Sequence, residues 1–269
     1  MLPLLSLASG VLPEFSPVQT AAAAVAAEWP AVGIWVDPAS WTAAIAAEVC
    51  ARTADAGVIV LDVEVVWIKP GADDPDHFRI IDAGAAVGAR NVLLVSSDPD
   101  PQATTAKLGR LADHAAQAGM RISLEFAAFT EVRSLAAACA ILDQPGCEQV
   151  GLLIDPLHFI RTGALPDELR AIAADRFHYA QFCDAEAQGP SPDDVPAIIE
   201  EALDLRLAIC AGGLPLGAIC GAFPNDLPLS IELRSKALRD DYPDPTDRAR
   251  ALLQSTRVGL TQLYQAAAG

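Results

Sequence analysis

Four polar side chains interrupt apolar runs in the second half of this sequence. Glu125 lies in the run I-S-L-E-F, and Asp155 ends the run G-L-L-I-D. Further along the chain, Gln181 lies in H-Y-A-Q-F and Glu232 lies in L-S-I-E-L. Each side chain would be costly to bury without a polar partner, so each is a candidate for chemistry rather than for packing.

Three carboxylates that share one site repel one another unless a positive charge lies between them. A divalent cation supplies that charge, and three carboxylates with one amide oxygen form an oxygen-rich ligand set. Such a set favours Mn²⁺ or Mg²⁺ over Zn²⁺. We therefore predict a metal site formed by Glu125, Asp155, Gln181 and Glu232. The alternative is that an individual acid caps a helix, so the prediction depends on all four residues lying together.

Three further residues are candidates for binding a substrate. His158 follows Asp155 by three residues in the segment D-P-L-H, and Arg161 comes next on the same segment. Glu64 lies in the run L-D-V-E-V-V-W-I. We predict that His158, Arg161 and Glu64 contact polar or anionic groups of the substrate. For a single histidine the alternative is a structural hydrogen bond.

Eight short apolar or β-branched runs must position these residues, and alanine-rich segments separate them. We predict strands at 4–9, 31–36, 58–64, 91–96, 121–127, 150–156, 178–183 and 228–234. Six of the seven spacings between successive strands are close to the roughly 30 residues of one strand, loop and helix. Helices are predicted between them at 82–88, 102–119, 131–142 and 206–210, with a last helix at 247–266.

This alternation predicts a single-domain (β/α)8 barrel, or TIM barrel, over residues 1–269. Continuous apolar runs are typical of parallel strands that are buried on both faces. The alternative is an open doubly wound sheet, but no glycine-rich dinucleotide motif follows any of the predicted strands. Active sites of (β/α)8 barrels lie at the carboxyl ends of the strands. The four polar residues should therefore meet at that end of the barrel.

The composition limits the partners of the chain. It has 35 acidic and 18 basic residues, a formal net charge of -17, so nucleic acid is an unexpected partner. Lysines occur only at Lys69, Lys107 and Lys236, which leaves few cations to neutralise the proposed site and favours a metal ion there. No apolar stretch has the roughly 20 residues that a membrane span needs. The six cysteines include no C-x-x-C pair, which favours free thiols in the cytoplasm. We expect a small-molecule substrate, no membrane partner, and leave a homo-oligomer open.

With these motifs the chain resembles the sugar phosphate isomerase/epimerase family of xylose isomerase-like barrels, in particular its D-tagatose 3-epimerase type. The matching segments are S-L-E-F at Glu125, D-P-L-H from Asp155 to His158, Y-A-Q-F-C-D around Gln181, and S-I-E-L-R at Glu232. Each segment is short, but their order and spacing match over nearly the whole chain. The resemblance implies a divalent metal held by Glu125, Asp155, residue 181 and Glu232.

The resemblance also implies a reaction. In the ketose epimerases of this family the two glutamates move a proton on opposite faces of the substrate, while the metal polarises its oxygens. Glu125 and Glu232 would be these catalytic residues, and His158 would contact substrate oxygens. The chain is thereby expected to be an isomerase or epimerase that acts on a carbohydrate-like carbonyl compound through an enediolate.

The sequence departs from the epimerase pattern at two positions. Gln181 stands where the family has a histidine, and Ala187 stands where the 3-epimerases have a substrate-binding arginine. Two alternatives therefore stay open. One is a metal-dependent dehydratase of a keto acid or keto-cyclitol on the same scaffold, and the other is a barrel that binds a ligand without catalysis.

Overall fold

The eight predicted strands are all present, and they form one parallel sheet. The computed structural model describes residues 2–268, so the two terminal residues of the predicted 1–269 domain lie outside the described part. The strands are β1 Leu5–Leu7, β2 Ala31–Trp35, β3 Ile59–Ile68, β4 Asn91–Ser96, β5 Arg121–Glu125, β6 Gly151–Leu153, β7 Ala180–Phe182 and β8 Leu229–Ile231. Their positions confirm the spacing argument.

The strand order makes the sheet a nearly closed barrel. It runs β6-β5-β4-β3-β2-β1-β8-β7, and every recorded pair is parallel. The first strand pairs with both the second and the last, with Ser6 opposite Ala31 on one side and Ser230 on the other. The two end strands, β6 and β7, lie side by side at the remaining gap, where Cys183 Sγ after β7 is 3.9 Å from Asp155 Oδ1 after β6. The single-domain (β/α)8 barrel is therefore confirmed.

Helices connect the strands and cover the outside of the barrel. They are α1 Pro17–Ala26, α2 Ala43–Ala56, α3 Pro75–Ala86, α4 Pro101–Gln117, α5 Leu135–Leu142, α6 Pro156–Arg161, α7 Val195–Asp204, α8 Leu216–Cys220, α9 Lys236–Asp241 and α10 Pro245–Ala268. Several begin with an acceptor side chain at the N-cap followed by proline, as in Asp100 before Pro101 and Asp155 before Pro156. None of the helices in the described part of the chain is long and apolar enough to cross a membrane.

The prediction of a helix at 206–210 is wrong. The helix of this region is α7, which begins after the N-cap Asp194, whose carboxylate accepts a hydrogen bond from the Ala197 amide at 3.1 Å. The segment that follows is extended, because Leu207 exchanges two backbone hydrogen bonds with Asp184. The Arg206 amide also donates to the Arg234 carbonyl at 3.2 Å. This pairing fixes the backbone from which the Arg206 side chain projects.

The hydrophobic core has two parts. The larger part packs the helices against the outer face of the strands. The smaller part fills the lumen with Leu61, Leu93, Val95, Leu153 and Tyr179. These side chains fill the interior of the barrel, so a binding site can form only at the carboxyl ends of the strands.

Candidate active site at the barrel mouth

A cavity of about 210 Å³ lies at the carboxyl ends of the strands. Its polar lining includes Glu64, Glu125, Gln181 and Glu232, together with His158, Arg206 and Arg234. Three aromatic side chains, Trp35, Trp67 and Phe129, line the same cavity. This is the place where a (β/α)8 barrel holds its active site.

A larger groove of about 740 Å³ lies on the outside of the barrel, between α4 and α5. Its buried acid, Asp98, is paired with the Lys107 ammonium at 2.8 Å. The groove therefore lacks the concentration of buried charge that marks the mouth, and we take the mouth as the candidate site.

Asp155 has both of its oxygens engaged. Its Oδ1 atom caps α6 by accepting hydrogen bonds from the amides of Leu157 at 2.7 Å and His158 at 3.3 Å. Its Oδ2 atom accepts from the Arg206 guanidinium. Burial alone would raise the pKa of Asp155, but the attraction of Arg206 and the hydrogen bonds bring it below its ordinary value. Asp155 is thus an ionised carboxylate that serves as a helix cap and as an ion-pair partner.

Arg206 was not among the predicted site residues, and it is the central cation of the mouth. Its side chain is only 2% exposed, and its Nη2 atom lies 3.0 Å from Glu232 Oε2 and 3.4 Å from His158 Nε2. Its Nε atom donates to the Ala202 carbonyl at the end of α7, at 2.8 Å. Arg206 therefore neutralises part of the charge that the sequence analysis assigned to a metal ion alone.

Glu125 and Glu232 are joined through Gln181. In the amide orientation that satisfies both groups, the Gln181 nitrogen donates to Glu125 Oε1 at 3.0 Å and to Glu232 Oε2 at 3.2 Å. Burial, with repulsion from Asp155 and Glu232, raises the pKa of Glu125 well above its ordinary value. Burial also raises the pKa of Glu232 to about 7, against the opposing attraction of Arg206. Glu232 can therefore hold or release a proton near neutral pH, and Glu125 favours its protonated form more than a free glutamate does.

Glu64 lies at the cavity wall, where its Oε1 atom accepts a hydrogen bond from the Ser9 hydroxyl at 2.6 Å. Burial raises its pKa despite that bond. Deeper in the barrel, neither carboxylate oxygen of Asp62 has a hydrogen-bond partner among the described residues. Burial and the neighbouring charges of Glu64 and Glu232 raise the pKa of Asp62 well above its usual range. The mouth thus holds more acid than its arginines can neutralise.

His158 lies among the candidate ligands, in the first turn of α6. Burial lowers its pKa to about 4, so the imidazole is neutral at pH 7. The Phe129 ring packs against its edge, with the ring centroids 5.3 Å apart. A neutral imidazole fixed in this way can accept a hydrogen bond or ligate a cation.

Arg161 does not line the cavity, contrary to its predicted role in binding substrate. Its guanidinium donates two hydrogen bonds to Glu201, at 2.9 and 2.7 Å, and a third to the Glu186 carbonyl. The physical reason is that α6 turns the Arg161 side chain towards α7 instead of the barrel axis. A second buried histidine, His178, precedes β7 and lies away from the mouth, with its Nδ1 atom 3.2 Å from the Ser123 hydroxyl.

The donor set at the mouth fits a divalent cation. Glu125, Asp155 and His158 each offer one ligand atom, and these atoms lie within 4.8 Å of one another. Two carboxylates and an imidazole are suitable ligands for Mn²⁺ or Zn²⁺ and, with water, for Mg²⁺. The other two predicted ligands, Glu232 and Gln181, are adjacent to this group. Glu232 forms an ion pair with Arg206 and accepts a hydrogen bond from the Gln181 amide.

The chain belongs to the family of xylose isomerase-like TIM barrels, whose model matches residues 21–258. The resemblance drawn from the strand-end motifs is confirmed at that level. No functionally curated protein matches the sequence significantly.

Solved structures show the same fold. A xylose isomerase-like TIM barrel/4-hydroxyphenylpyruvate dioxygenase fusion protein superposes with a TM-score of 0.78 at 20% identity, over 97% of this chain and 44% of that one. This chain therefore spans less than half of the fusion protein. An IOLI protein with a binding zinc atom gives 0.74 at 17% identity, over 96% and 97% of the two chains. D-allulose 3-epimerase from Methylomonas sp. in complex with D-allulose gives 0.67 at 15%, over 94% and 95%.

Proposed function

We propose that this chain is a divalent-metal-dependent isomerase or epimerase of a sugar, sugar phosphate or polyol-like carbonyl compound. The observation that supports it best is the pair Glu125 and Glu232, which line one cavity and are linked through the Gln181 amide. Epimerisation next to a carbonyl removes a proton from one face of a carbon and returns one to the opposite face, a task that suits two groups. Two buried carboxyls with raised pKa values suit both tasks.

In this proposal Glu125 and Glu232 carry the proton between the two faces of the substrate, and His158 and Glu64 bind its hydroxyl groups. A general acid or base works best when its pKa lies near the working pH, which is the case for Glu232 at about 7. The aromatic side chains Trp67 and Phe129 present apolar surface to the carbon skeleton and help to exclude water from the cavity.

Glu125 and Asp155 would hold the metal together with His158, or with the predicted partners Gln181 and Glu232. A bound divalent ion would polarise the carbonyl and hydroxyl oxygens of the substrate and so stabilise an enediolate. The oxygen donors favour Mn²⁺ or Mg²⁺, whereas the imidazole is equally compatible with Zn²⁺. The three ions should therefore be compared in every assay.

The test is proton exchange. Protein loaded with Mg²⁺ is incubated with a panel of ketoses in D₂O, and ¹H NMR follows loss of signal at the carbon next to the carbonyl. We expect exchange with at least one substrate and a loss of 100-fold or more in Glu125→Gln and Glu232→Gln, which keep the shape but lose the base.

Asp98→Asn, a buried acid outside the cavity, serves as the control and should retain exchange. A panel in which no metal supports exchange, or a double glutamine variant that still exchanges, would contradict the proposal.

A metal-dependent dehydratase of a keto acid or keto-cyclitol is the second candidate. Two arginines, Arg206 and Arg234, line the cavity, and the Arg234 Nε atom has no hydrogen-bond partner among the described residues. A guanidinium of this kind suits a substrate carboxylate. Loss of water in the same NMR assay, with a new vinyl signal, would identify the dehydratase.

The third alternative, a barrel that binds a ligand without catalysis, draws support from the ion pair between Asp155 and Arg206. It predicts ligand binding without exchange and without water loss under any metal.

A further inference from the structure

The Arg206 guanidinium is bonded to two of the residues that would ligate a metal. It donates to Asp155 Oδ2, and its Nη2 atom lies 3.0 Å from Glu232 Oε2. On the basis of the proposed metal-dependent function, we propose that Arg206 is an exchangeable internal counter-ion. It holds the metal ligands in the metal-free protein and must leave them when a divalent cation binds.

The engagement of the ligand oxygens is the first step of the argument. Asp155 Oδ1 is committed to the cap of α6, so Oδ2, the oxygen that accepts from Arg206, is the one without a backbone hydrogen bond. Glu232 Oε2 is shared between Arg206 and the Gln181 nitrogen. On Asp155 the oxygen without a backbone hydrogen bond is therefore the one that the guanidinium occupies, and on Glu232 the guanidinium occupies one of the two oxygens.

Electrostatics is the second step. A divalent cation binds carboxylate oxygens at about 2 Å, and the guanidinium nitrogens lie about 3 Å from the same oxygens. Two cations on the same oxygens would lie within a few ångströms of each other in a buried site, where their repulsion is weakly screened. Metal binding therefore disfavours the present position of Arg206.

The tether of Arg206 is the third step. Its Nε atom is bonded to the Ala202 carbonyl of α7, and its backbone is paired with Arg234. The side chain also lines the cavity, so a guanidinium released from Asp155 and Glu232 would still face it. Two other buried arginines, Arg161 and Arg248, pair with Glu201 and Glu14, which lie outside the proposed ligand set.

The test is a calorimetric titration of Mn²⁺ into the metal-stripped full-length chain, for the unmodified protein and for Arg206→Met. We expect both to bind, with Arg206→Met binding at least ten-fold more tightly because no cation has to be displaced. The thermal midpoint of metal-free Arg206→Met should fall, and saturating Mn²⁺ should restore it. Arg161→Met is the matched control, since it breaks a buried pair elsewhere and should leave the Mn²⁺ affinity unchanged.

Equal or weaker Mn²⁺ binding by Arg206→Met would overturn the inference and leave the proposed function standing. If neither protein binds Mn²⁺, Mg²⁺ or Zn²⁺, the metal-dependent function fails as well. A second measurement uses the unmodified protein, in case the variant does not fold without metal. In ¹⁵N-arginine-labelled protein, saturation with diamagnetic Mg²⁺ should shift the buried Arg206 guanidinium signals, and unchanged signals at full occupancy would refute exchange.

Discussion

Replacing Asp155 should lower the stability of the protein by a large amount, and the share of the ion pair with Arg206 can be separated from that of the helix cap. Asp155→Ala removes two contributions in the metal-free protein. Loss of the N-cap of α6 should cost about 1 kcal/mol, since the alanine cannot accept from the Leu157 amide. Loss of the charge leaves the buried guanidinium of Arg206 with Glu232 as its remaining acidic partner, and breaking a buried pair costs roughly 3–5 kcal/mol. The total is a large part of the stability of an ordinary domain, which is about 5–15 kcal/mol.

Two further variants separate the contributions. Asp155→Asn keeps an oxygen that can cap α6 but removes the charge, so it should recover only about 1 kcal/mol relative to alanine. Asp100→Ala is the matched control, because Asp100 caps α4 by accepting from the Gln102 amide at 2.8 Å without a buried cation beside it. Its cost should be that of a cap alone, about 1 kcal/mol.

The assay is urea unfolding of EDTA-treated protein at pH 7, followed by circular dichroism, with a double-mutant cycle of Asp155→Ala and Arg206→Met. Because the partner left behind accounts for most of the cost, the double variant should be more stable than the sum of the single effects predicts, by about 2 kcal/mol or more. Additive costs, or an Asp155→Ala variant no less stable than Asp100→Ala, would refute the ion-pair reasoning.

Three other predictions concern buried groups away from that pair. Burial raises the pKa of Asp62 well above its ordinary value, so the folded chain holds this proton more tightly than the unfolded chain and stability falls as pH rises. In urea titrations, Asp62→Asn should be more stable than the unmodified protein at pH 8, and this advantage should be smaller at pH 5. Burial lowers the pKa of His178 to about 4, so its contribution, at most about 3 kcal/mol, is lost as pH falls from 6.5 to 4, and His178→Gln should flatten that slope. A Cβ on Gly151 would lie 2.5 Å from His178 Nδ1, so Gly151→Ala should cost about 1–3 kcal/mol, and His178→Ala should partly rescue it in thermal melts.

The strands were predictable because each is a short apolar run, and the barrel requires them at a nearly constant spacing. Even the three-residue strand Gly151–Leu153 lies inside its predicted run 150–156. The long interval between β7 and β8 was the hardest to assign from the sequence. Its helix α7 has a recognisable start, an aspartate cap at Asp194 followed by Val195 and Pro196, but the apolar run after it suggested a helix at 206–210.

The candidate ligands Glu125, Asp155, Gln181 and Glu232 were found because a polar residue inside an apolar run is costly to bury unpaired. The same criterion, applied to cations, selects Arg206, which stands in the run D-L-R-L-A-I. The ends of strands do not include this residue, because Arg206 reaches the mouth from an extended segment beyond α7. Arg161 shows the converse, since proximity in sequence to His158 did not determine which way α6 turns its side chain.

The balance of charge at the mouth connects these observations. Five buried acids lie at or just below the mouth, near the two arginines Arg206 and Arg234, namely Asp62, Glu64, Glu125, Asp155 and Glu232. Arg206 neutralises part of this charge, and burial raises the pKa of Glu125 and of Glu232, which favours bound protons on both. A divalent cation would replace both the guanidinium and the protons, since carboxylate ligands must be deprotonated to bind it. The proposed metal site therefore needs no preformed vacancy, because Arg206 and bound protons would keep the acids in place until an ion enters.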